Sequence, residues 1–163
     1  MPSTTGSDAL RLERQLCLTL AVASREVISL YRPLLEPLGL THPQYLVMVA
    51  LWEADGALPV KGLSQLLTLE APTLSPLLKR LEAAGLVERR RDAADARSTL
   101  VGLTPQGDAL RVRAAEVPPA IVERIGMSTG ELRSLRDALT RVIEHTAAWE
   151  SGSDQRSSGT ARG

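Results

Sequence analysis

Apolar residues recur at three- and four-residue spacing along most of the chain, and this period predicts a mainly helical protein. A first helix is expected over residues 8–31. Arg32-Pro33 is expected to end or bend it, because the residue before a proline avoids helical geometry. A capping-box pattern from Thr41 to Gln44 predicts a second helix that runs to about Glu53. The apolar stripe of the first helix consists of Leu12, Leu16, Leu20, Ala23, Val27 and Leu30.

Two more helix starts lie in the last third of the chain. Thr104-Pro105 combines a capping residue with a proline at the first helical position, which predicts a helix over residues 105–117. Pro118-Pro119 is expected to end that helix, with a bent or separate helix after it. A second capping box at residues 128–131 opens a last helix that should reach about Trp149.

Residues 70–103 contain the pattern around which the rest of the chain is organised. Pro72 suits a first helical turn, and the leucines that follow it at three- and four-residue steps form one helix face. Gly85 stands where a left-handed helix terminator belongs. Two short strands are then predicted, over residues 86–91 and 98–103, joined by a charged loop.

A helix followed by a β-ribbon with arginines near its tip predicts a winged helix-turn-helix. The upstream helix would be residues 60–67, with Thr68-Leu69 as the turn and a short strand at 58–60 pairing with the wing. Such a unit places its second helix in the major groove and its ribbon against phosphates or a minor groove. Arg97, held by Asp95 across the wing, is the expected minor-groove residue. The expected base-edge and phosphate contacts are Thr73, Ser75, Lys79, Arg80, Arg89, Arg90 and Arg91.

Composition and charge narrow the class of protein. Hydrophobic residues make up 44% of the 163, enough for a core, and the formal net charge is zero, which argues against a non-specific polycation. Residues 73–100 contain six basic and four acidic side chains, and two-fold symmetry would double this small excess of positive charge. No apolar run approaches the ~20 residues of a membrane span and the N-terminus shows no secretory signal pattern, so a cytoplasmic protein without membrane contact is expected.

The predicted fold class is mainly α with a small β-wing, a winged helix-turn-helix flanked by N- and C-terminal dimerisation helices. Neither terminal helix has an obvious partner within the chain for its apolar stripe. A second copy is therefore expected to cover both, and a two-fold homodimer predicts a near-palindromic DNA site. The predicted segments are a disordered N-terminus (1–7), N-terminal dimerisation and support helices (8–57), the winged unit (58–103), C-terminal dimerisation helices (104–149) and a disordered tail (150–163).

The winged segment also carries a family resemblance. Residues 77–87, LLKRLEAAGLV, followed by Arg89-Arg90 and Asp95-Ala96-Arg97, resemble the MarR family of bacterial transcription regulators. The Asp-x-Arg of the wing is that family's strongest signature, and the resemblance runs from about Leu12 to Trp149. It implies a regulator that dimerises through its terminal helices and binds double-stranded DNA. Neither enzymatic activity nor a cofactor is expected.

Cys17 is the single cysteine, and a free cysteine on a helix is usually a small buried apolar side chain. Segments such as Leu16-Cys17, Tyr31-Arg32-Pro33 and Pro43-Gln44-Tyr45, however, resemble the organic-hydroperoxide-sensing branch of the MarR family. There the hydroperoxide oxidises a cysteine at this position and the repressor leaves its operator. The tyrosine matching Tyr31 hydrogen-bonds that cysteine from the other subunit. With one cysteine, this chain corresponds to the one-cysteine type.

The sensor residues can be tested against helix geometry. Cys17 and Tyr31 are fourteen residues apart, roughly 21 Å along one helix, so a contact between them requires an antiparallel partner. His42 stands where the branch has a second tyrosine; it could replace that phenol as a donor, and a protonated imidazole would favour the thiolate. The alternative is that His42 is only a residue of a first helical turn. Ala21 and Ala71-Pro72 depart from the branch, which has an aromatic and Ser-Gly there.

Two other functions fit parts of the sequence. A MarR-type repressor could respond to a small anionic or phenolic ligand, with Cys17 serving only in packing. A thiol peroxidase would use the same activated cysteine, but the chain lacks a resolving cysteine and carries a DNA-reading unit. No metal-ligand spacing, phosphate-binding loop or dinucleotide fingerprint is visible.

Overall fold

The computed structural model describes the backbone of residues 4–157 and the side chains of residue 8 and residues 10–149. Helices dominate it, as the sequence predicts. In chain order the elements are α1 (Thr4–Leu35), a 3-10 turn (Glu36–Leu38), α2 (His42–Glu53), β1 (Leu58–Pro59), α3 (Val60–Leu67), α4 (Ala71–Ala83), β2 (Val87–Arg91), β3 (Thr99–Leu103), α5 (Pro105–Ala114), α6 (Val117–Ile125) and α7 (Thr129–Ser157).

The three strands form one antiparallel sheet in the order β1-β3-β2. Leu58 pairs with Val101, and Val87 and Arg91 pair with Leu103 and Thr99 at the two ends of the ribbon. Val87 and Val101 are buried, whereas the arginine-rich end of β2 is exposed. The sheet is therefore anchored in the core at one end and projects as a wing at the other.

Two compact units make up the chain, one ending at Ile121 and the other beginning at Val122. In the first, α2 lies centrally and contacts α1, α3, α4 and α5. Phenylalanine is absent from the sequence, and the interior is built from aliphatic side chains with Met48 and two aromatics, Tyr45 and Trp52. The most buried side chains of this core are Leu35, Val47, Met48, Leu51, Leu63, Leu74, Leu78, Leu81, Val87 and Val101.

The second unit contains the long helix α7. The Ser128 hydroxyl accepts from the Glu131 backbone N–H, and the Glu131 carboxylate accepts from the Ser128 backbone N–H, which confirms the predicted capping box. Large apolar side chains remain exposed along this helix: Leu135, Leu139, Val142, Ile143 and Trp149.

The structure confirms the predicted capping box of α2, the turn between α3 and α4 and the glycine that ends α4. Thr41 and Gln44 form the reciprocal capping box of α2. The turn between α3 and α4 uses Thr68 in a left-handed conformation, with φ of +51°. Gly85 ends α4 with φ of +73°, a conformation that side chains other than glycine rarely adopt. The two-helix unit and its wing are therefore present as predicted.

The first helix does not end at Arg32-Pro33, which contradicts one of the two predicted outcomes. Helix α1 continues through Pro33 to Leu35, and it begins at Thr4 instead of residue 8. A proline this close to the C-terminal end removes only the hydrogen bond to the Ser29 carbonyl, and Ser29 is exposed, so water can satisfy that oxygen.

Three further boundaries differ from prediction. Val60 begins α3 and is not part of β1, and Pro118-Pro119 lies within the first turn of α6, where proline loses no helical hydrogen bond. Helix α7 extends to Ser157, through most of the segment predicted as a loose tail. The predictions of disorder at residues 1–3 and 158–163 fall outside the described residues. Over residues 4–157 no helix is both long and apolar enough to span a membrane.

Candidate functional site

Helix α4 presents one buried and one exposed face. Leu74, Leu78 and Leu81 are buried, which turns the remaining positions of the helix outward. All four predicted contact residues of this helix are exposed: Thr73, Ser75, Lys79 and Arg80. The exposed face therefore offers two hydroxyls near the start of the helix and two cations farther along.

A cleft of about 320 Å³ lies between α4 and the wing. Its charged lining residues are Lys61, Arg89 and Arg97, all cationic. It brings together the predicted residues Ser75, Arg89 and Arg97 and adds three that the sequence did not single out: Lys61, Ser98 and Thr99. Lys61 is the second residue of α3, and its proximity to the wing becomes evident only once the strands pair. Cations and hydroxyls in one cleft suit an anionic phosphate backbone.

Strand alternation divides the wing arginines between two faces. Arg89 lies in the cleft beside α4, whereas Arg90 lines a separate groove with Glu88 and Asp108. The three consecutive arginines, grouped as one set of phosphate contacts in the sequence analysis, therefore do not share a surface.

Arg89, predicted as a contact to the DNA backbone, forms an ion pair within the chain. Its guanidinium donates two hydrogen bonds to one carboxylate oxygen of Glu82 on α4, at 2.6 and 3.0 Å. These hydrogen bonds from Arg89 hold the pKa of the Glu82 carboxyl below its usual value. Arg89 therefore connects the wing to the recognition helix.

The tip of the wing is shaped by carboxylate–backbone hydrogen bonds. Asp92 accepts from the Ala94 N–H at 2.9 Å, and Asp95 accepts from the Arg97 N–H at 3.0 Å. Asp95 therefore holds the backbone of Arg97 in a short turn. Arg91 donates to the Ala96 carbonyl at 3.3 Å, which closes the loop further. Arg97 remains exposed at the tip.

Cys17 lies exposed on α1, among apolar side chains that are also exposed. Leu16 and Leu20 expose 62% and 44% of their surface. Tyr31 lies farther along the same unbroken helix and contacts two rings of α2, His42 at 4.9 Å between centroids and Tyr45 at 5.8 Å. The structure therefore brings Tyr31 and His42 together, while Cys17 stays separate from both within one chain.

Burial shifts the pKa values of His42 and Tyr31 away from their usual values. Desolvation lowers the pKa of His42 and raises the pKa of Tyr31. It also raises the pKa of Tyr45, with further contributions from Tyr31 and Glu53. The protonated imidazole suggested by the sequence is thus disfavoured in the chain, and neutral His42 remains available as a hydrogen-bond donor or acceptor.

A larger cavity opens beside His42. It has a volume of about 700 Å³, and Arg25, Arg32 and Glu36 supply charges to its lining. Ile28 and Leu40 supply apolar surface. Within the part of the chain whose side chains are described, no group of three or more His, Cys, Asp or Glu residues is placed to hold a metal ion.

An exposed recognition helix, a cationic cleft and an arginine at the wing tip define a winged helix-turn-helix DNA-binding protein. The sequence model of the MarR family matches residues 40–99. Over 137 residues the chain is 41% identical to the organic hydroperoxide resistance transcriptional regulator of Bacillus subtilis (strain 168), covering 84% of this chain and 92% of that relative. The chain belongs to the MarR family of transcriptional regulators.

Solved structures agree with this assignment. The crystal structure of AbfR from Staphylococcus epidermidis is 29% identical and superposes with a TM-score of 0.78, covering 89% of this chain and 99% of that one. Reduced AbfR bound to DNA is 30% identical and superposes with a TM-score of 0.71, covering 87% and 99%. The fold is therefore shared with a protein whose structure has been solved on DNA.

Proposed function

We propose that this regulator is a homodimeric cytoplasmic repressor that leaves its operator when an organic hydroperoxide oxidises Cys17. The observation that carries the proposal is the position of Cys17, exposed on an apolar surface of α1 in a chain 41% identical to an organic hydroperoxide resistance regulator. The double-stranded operator would be near-palindromic, since a two-fold dimer presents two recognition helices.

The dimer is supported by uncovered apolar surface. Large apolar side chains on α1 are exposed, and α7 carries a second set. So many exposed large apolar side chains on a small protein are typical of an association surface. We assign the covering surface to a second copy, because regulators of this fold read two half-sites. The exposed apolar residues on α1 are Leu10, Leu12, Leu16, Leu18, Leu20, Val22 and Ile28.

Antiparallel pairing of α1 with its partner would complete the sensor. Ser24 lies midway between Cys17 and Tyr31, and at 100° per residue all three share one side of the helix. A two-fold axis beside Ser24 would place Cys17 of each copy opposite Tyr31 of the other. The tyrosine hydroxyl could then donate to the sulfur and favour the thiolate.

The proposed chemistry is a single oxygen transfer. The thiolate attacks the distal oxygen of the hydroperoxide, the O–O bond breaks, and the alkoxide takes up a proton and leaves as an alcohol. The sulfur becomes a sulfenic acid. Because the chain has no second cysteine, a small cellular thiol would displace water from the sulfenic acid to form a mixed disulfide. Either product adds bulk or polarity at a packed interface, which would change the separation of the two recognition helices.

Replacing Cys17 tests the proposal directly. Wild-type protein and Cys17→Ser are titrated onto the operator in mobility-shift experiments at fixed salt, with and without tert-butyl hydroperoxide. Oxidation should weaken wild-type binding by about 5- to 150-fold, the usual range of allosteric coupling, while Cys17→Ser stays bound. Equal responses of the two proteins would overturn the redox mechanism. Consumption of many equivalents of peroxide with a thiol reductant would instead identify a peroxidase.

The cavity beside His42 favours a second candidate function. Its volume of about 700 Å³ suits a small molecule, and Arg25 and Arg32 would attract an anion. A repressor of this kind would be released by an anionic phenolic compound. Release of Cys17→Ser by salicylate, prevented by Arg32→Ala, would support this alternative.

A further inference from the structure

Three aromatic side chains form a row that leads from α1 into the core, here called the aromatic row. Tyr31 contacts Tyr45 at 5.8 Å between ring centroids, and Tyr45 contacts Trp52 at 6.3 Å in an edge-on arrangement. Tyr31 is half-buried, whereas Tyr45 and Trp52 are each only 7% exposed. Because close-packed interiors transmit strain, a displacement of the Tyr31 ring would press on Tyr45 and, through it, on Trp52.

Trp52 links this row to the start of α5. Its indole Nε1–H donates to the Gly107 carbonyl at 2.9 Å, a buried hydrogen bond between residues far apart in sequence. The Gly107 N–H in turn donates to the Thr104 hydroxyl oxygen at 3.0 Å. Both the carbonyl and the N–H of Gly107 are therefore hydrogen-bonded, and together they fix the first turn of α5.

Thr104 then ties the same turn to the end of the recognition helix. Its hydroxyl donates to the Gly85 carbonyl at 2.6 Å, and its backbone N–H donates to the Leu86 carbonyl at 3.1 Å. Gly85 is the residue that ends α4 in a left-handed conformation. We call Trp52, Gly107, Thr104 and Gly85 the helix-end clamp.

Gly107 shows how closely the clamp is packed. A Cβ built on this residue would lie 1.9 Å from the Leu86 carbonyl oxygen, far inside van der Waals contact. Only glycine lets the first turn of α5 press against the backbone that follows α4. Trp52 and the end of α4 are therefore packed with little room for relative movement.

We propose that the aromatic row and the helix-end clamp carry changes at Tyr31 to the end of α4, and that Trp52 and Thr104 are positioning residues for operator binding. This inference rests on the proposed function for the origin of the change at Tyr31. Buried Trp52 and half-buried Thr104 thereby gain a role in coupling that their packing alone does not require.

The test compares operator affinity in the reduced and oxidised states. Trp52→Phe keeps an aromatic ring but loses the N–H donor, and Thr104→Val keeps the shape but loses the hydroxyl. Thr104→Ser restores a hydroxyl, and Thr140→Val is a matched control that removes a threonine hydrogen bond in α7. Each protein is titrated onto the operator before and after tert-butyl hydroperoxide, and mass spectrometry measures oxidation of Cys17.

The ratio of oxidised to reduced Kd should fall by about 2- to 30-fold in Trp52→Phe and Thr104→Val, the range seen for residues that modulate coupling. Thr104→Ser and Thr140→Val should keep the wild-type ratio. Unchanged ratios in both clamp variants, even with uniformly weaker binding, would overturn the inference and leave the redox switch intact. If wild-type protein stays on its operator with Cys17 fully oxidised, the proposed function fails and the inference fails with it.

Discussion

His42 is a titratable side chain whose pKa is set by burial. Its ring lies half-buried against Tyr31, and Arg25 and Arg32 line the cavity on its other side together with Glu36. Burial lowers its pKa, so the folded chain favours the neutral ring. A neutral imidazole can receive or donate one hydrogen bond, which suits a positioning role better than an electrostatic one.

The depressed pKa of His42 predicts a loss of stability in acid. The unfolded chain takes up a proton near pH 6.5, before the folded chain does, so this contribution is complete above that pH and is lost as pH falls through the lower folded-state pKa. Urea titrations at pH 7.5 and 5.5 should show a smaller drop in unfolding free energy for His42→Gln than for wild type. His145→Gln, which replaces the other histidine of the chain on the exposed surface of α7, is the matched comparison. Identical drops in all three proteins would contradict the assignment.

At the scale of elements, α4 and the wing act as one unit because Arg89 and Glu82 join them. The pair is about one-third exposed, so its contribution to stability is modest, but it fixes where the wing stands relative to the helix. Arg97, in the loop at the wing tip, adds an exposed cation to the cleft, whereas strand alternation turns Arg90 toward a groove that contains Glu88 and Asp108.

This division of the wing predicts different salt dependences for two arginine variants. Arg97→Ala should reduce the slope of log K against log salt by about 0.9 per subunit, since each wing loses one cation that displaces a counterion from the DNA. Arg90→Ala serves as the matched control and should leave the slope within error of wild type. Operator titrations between 50 and 200 mM salt measure both. A reduced slope for Arg90→Ala alone would show that DNA contacts the opposite face of the wing.

The sequence predicted those features that depend on only a few neighbouring residues. Capping boxes at Thr41 and Ser128 and the terminator at Gly85 act within a few residues, and each was predicted correctly. The Arg89–Glu82 pair and the clamp at Gly107 depend on how α4, α5 and the sheet meet, which no local pattern encodes. The continuation of α1 through Pro33 was missed because the rule for proline takes no account of its closeness to the helix end.

At the scale of the whole molecule, a second copy would bury the exposed apolar residues of α1 in a dimer interface. Cys17 and Tyr31 are fourteen residues apart on α1, almost four full helical turns, so only an intermolecular contact can bring them together. The sensor would then exist only in the dimer, and its oxidation would act on both recognition helices through one shared surface.

A cysteine introduced at position 31 tests that arrangement. In Tyr31→Cys, the new thiol should lie opposite Cys17 of the partner, so mild oxidation should give a covalent dimer on a non-reducing gel. Val22→Cys places a thiol about half a helical turn away from the Cys17 side and should remain largely monomeric on the same gel. Removing Cys17 from the Tyr31→Cys protein should abolish the cross-link. Equal cross-linking at positions 22 and 31 would rule out the antiparallel pairing.

The aromatic row has a practical consequence. The protein contains two tyrosines, two tryptophans and no phenylalanine, so three of these four aromatic residues lie in the row. Excitation energy absorbed by Tyr31 and Tyr45 can pass to the indole of Trp52 beside them. In a chain that carries Trp149→Phe, the emission spectrum would come from Trp52 alone and would respond to its hydrogen bond with Gly107. The regulator thus contains its own optical reporter, placed where its two states are expected to differ.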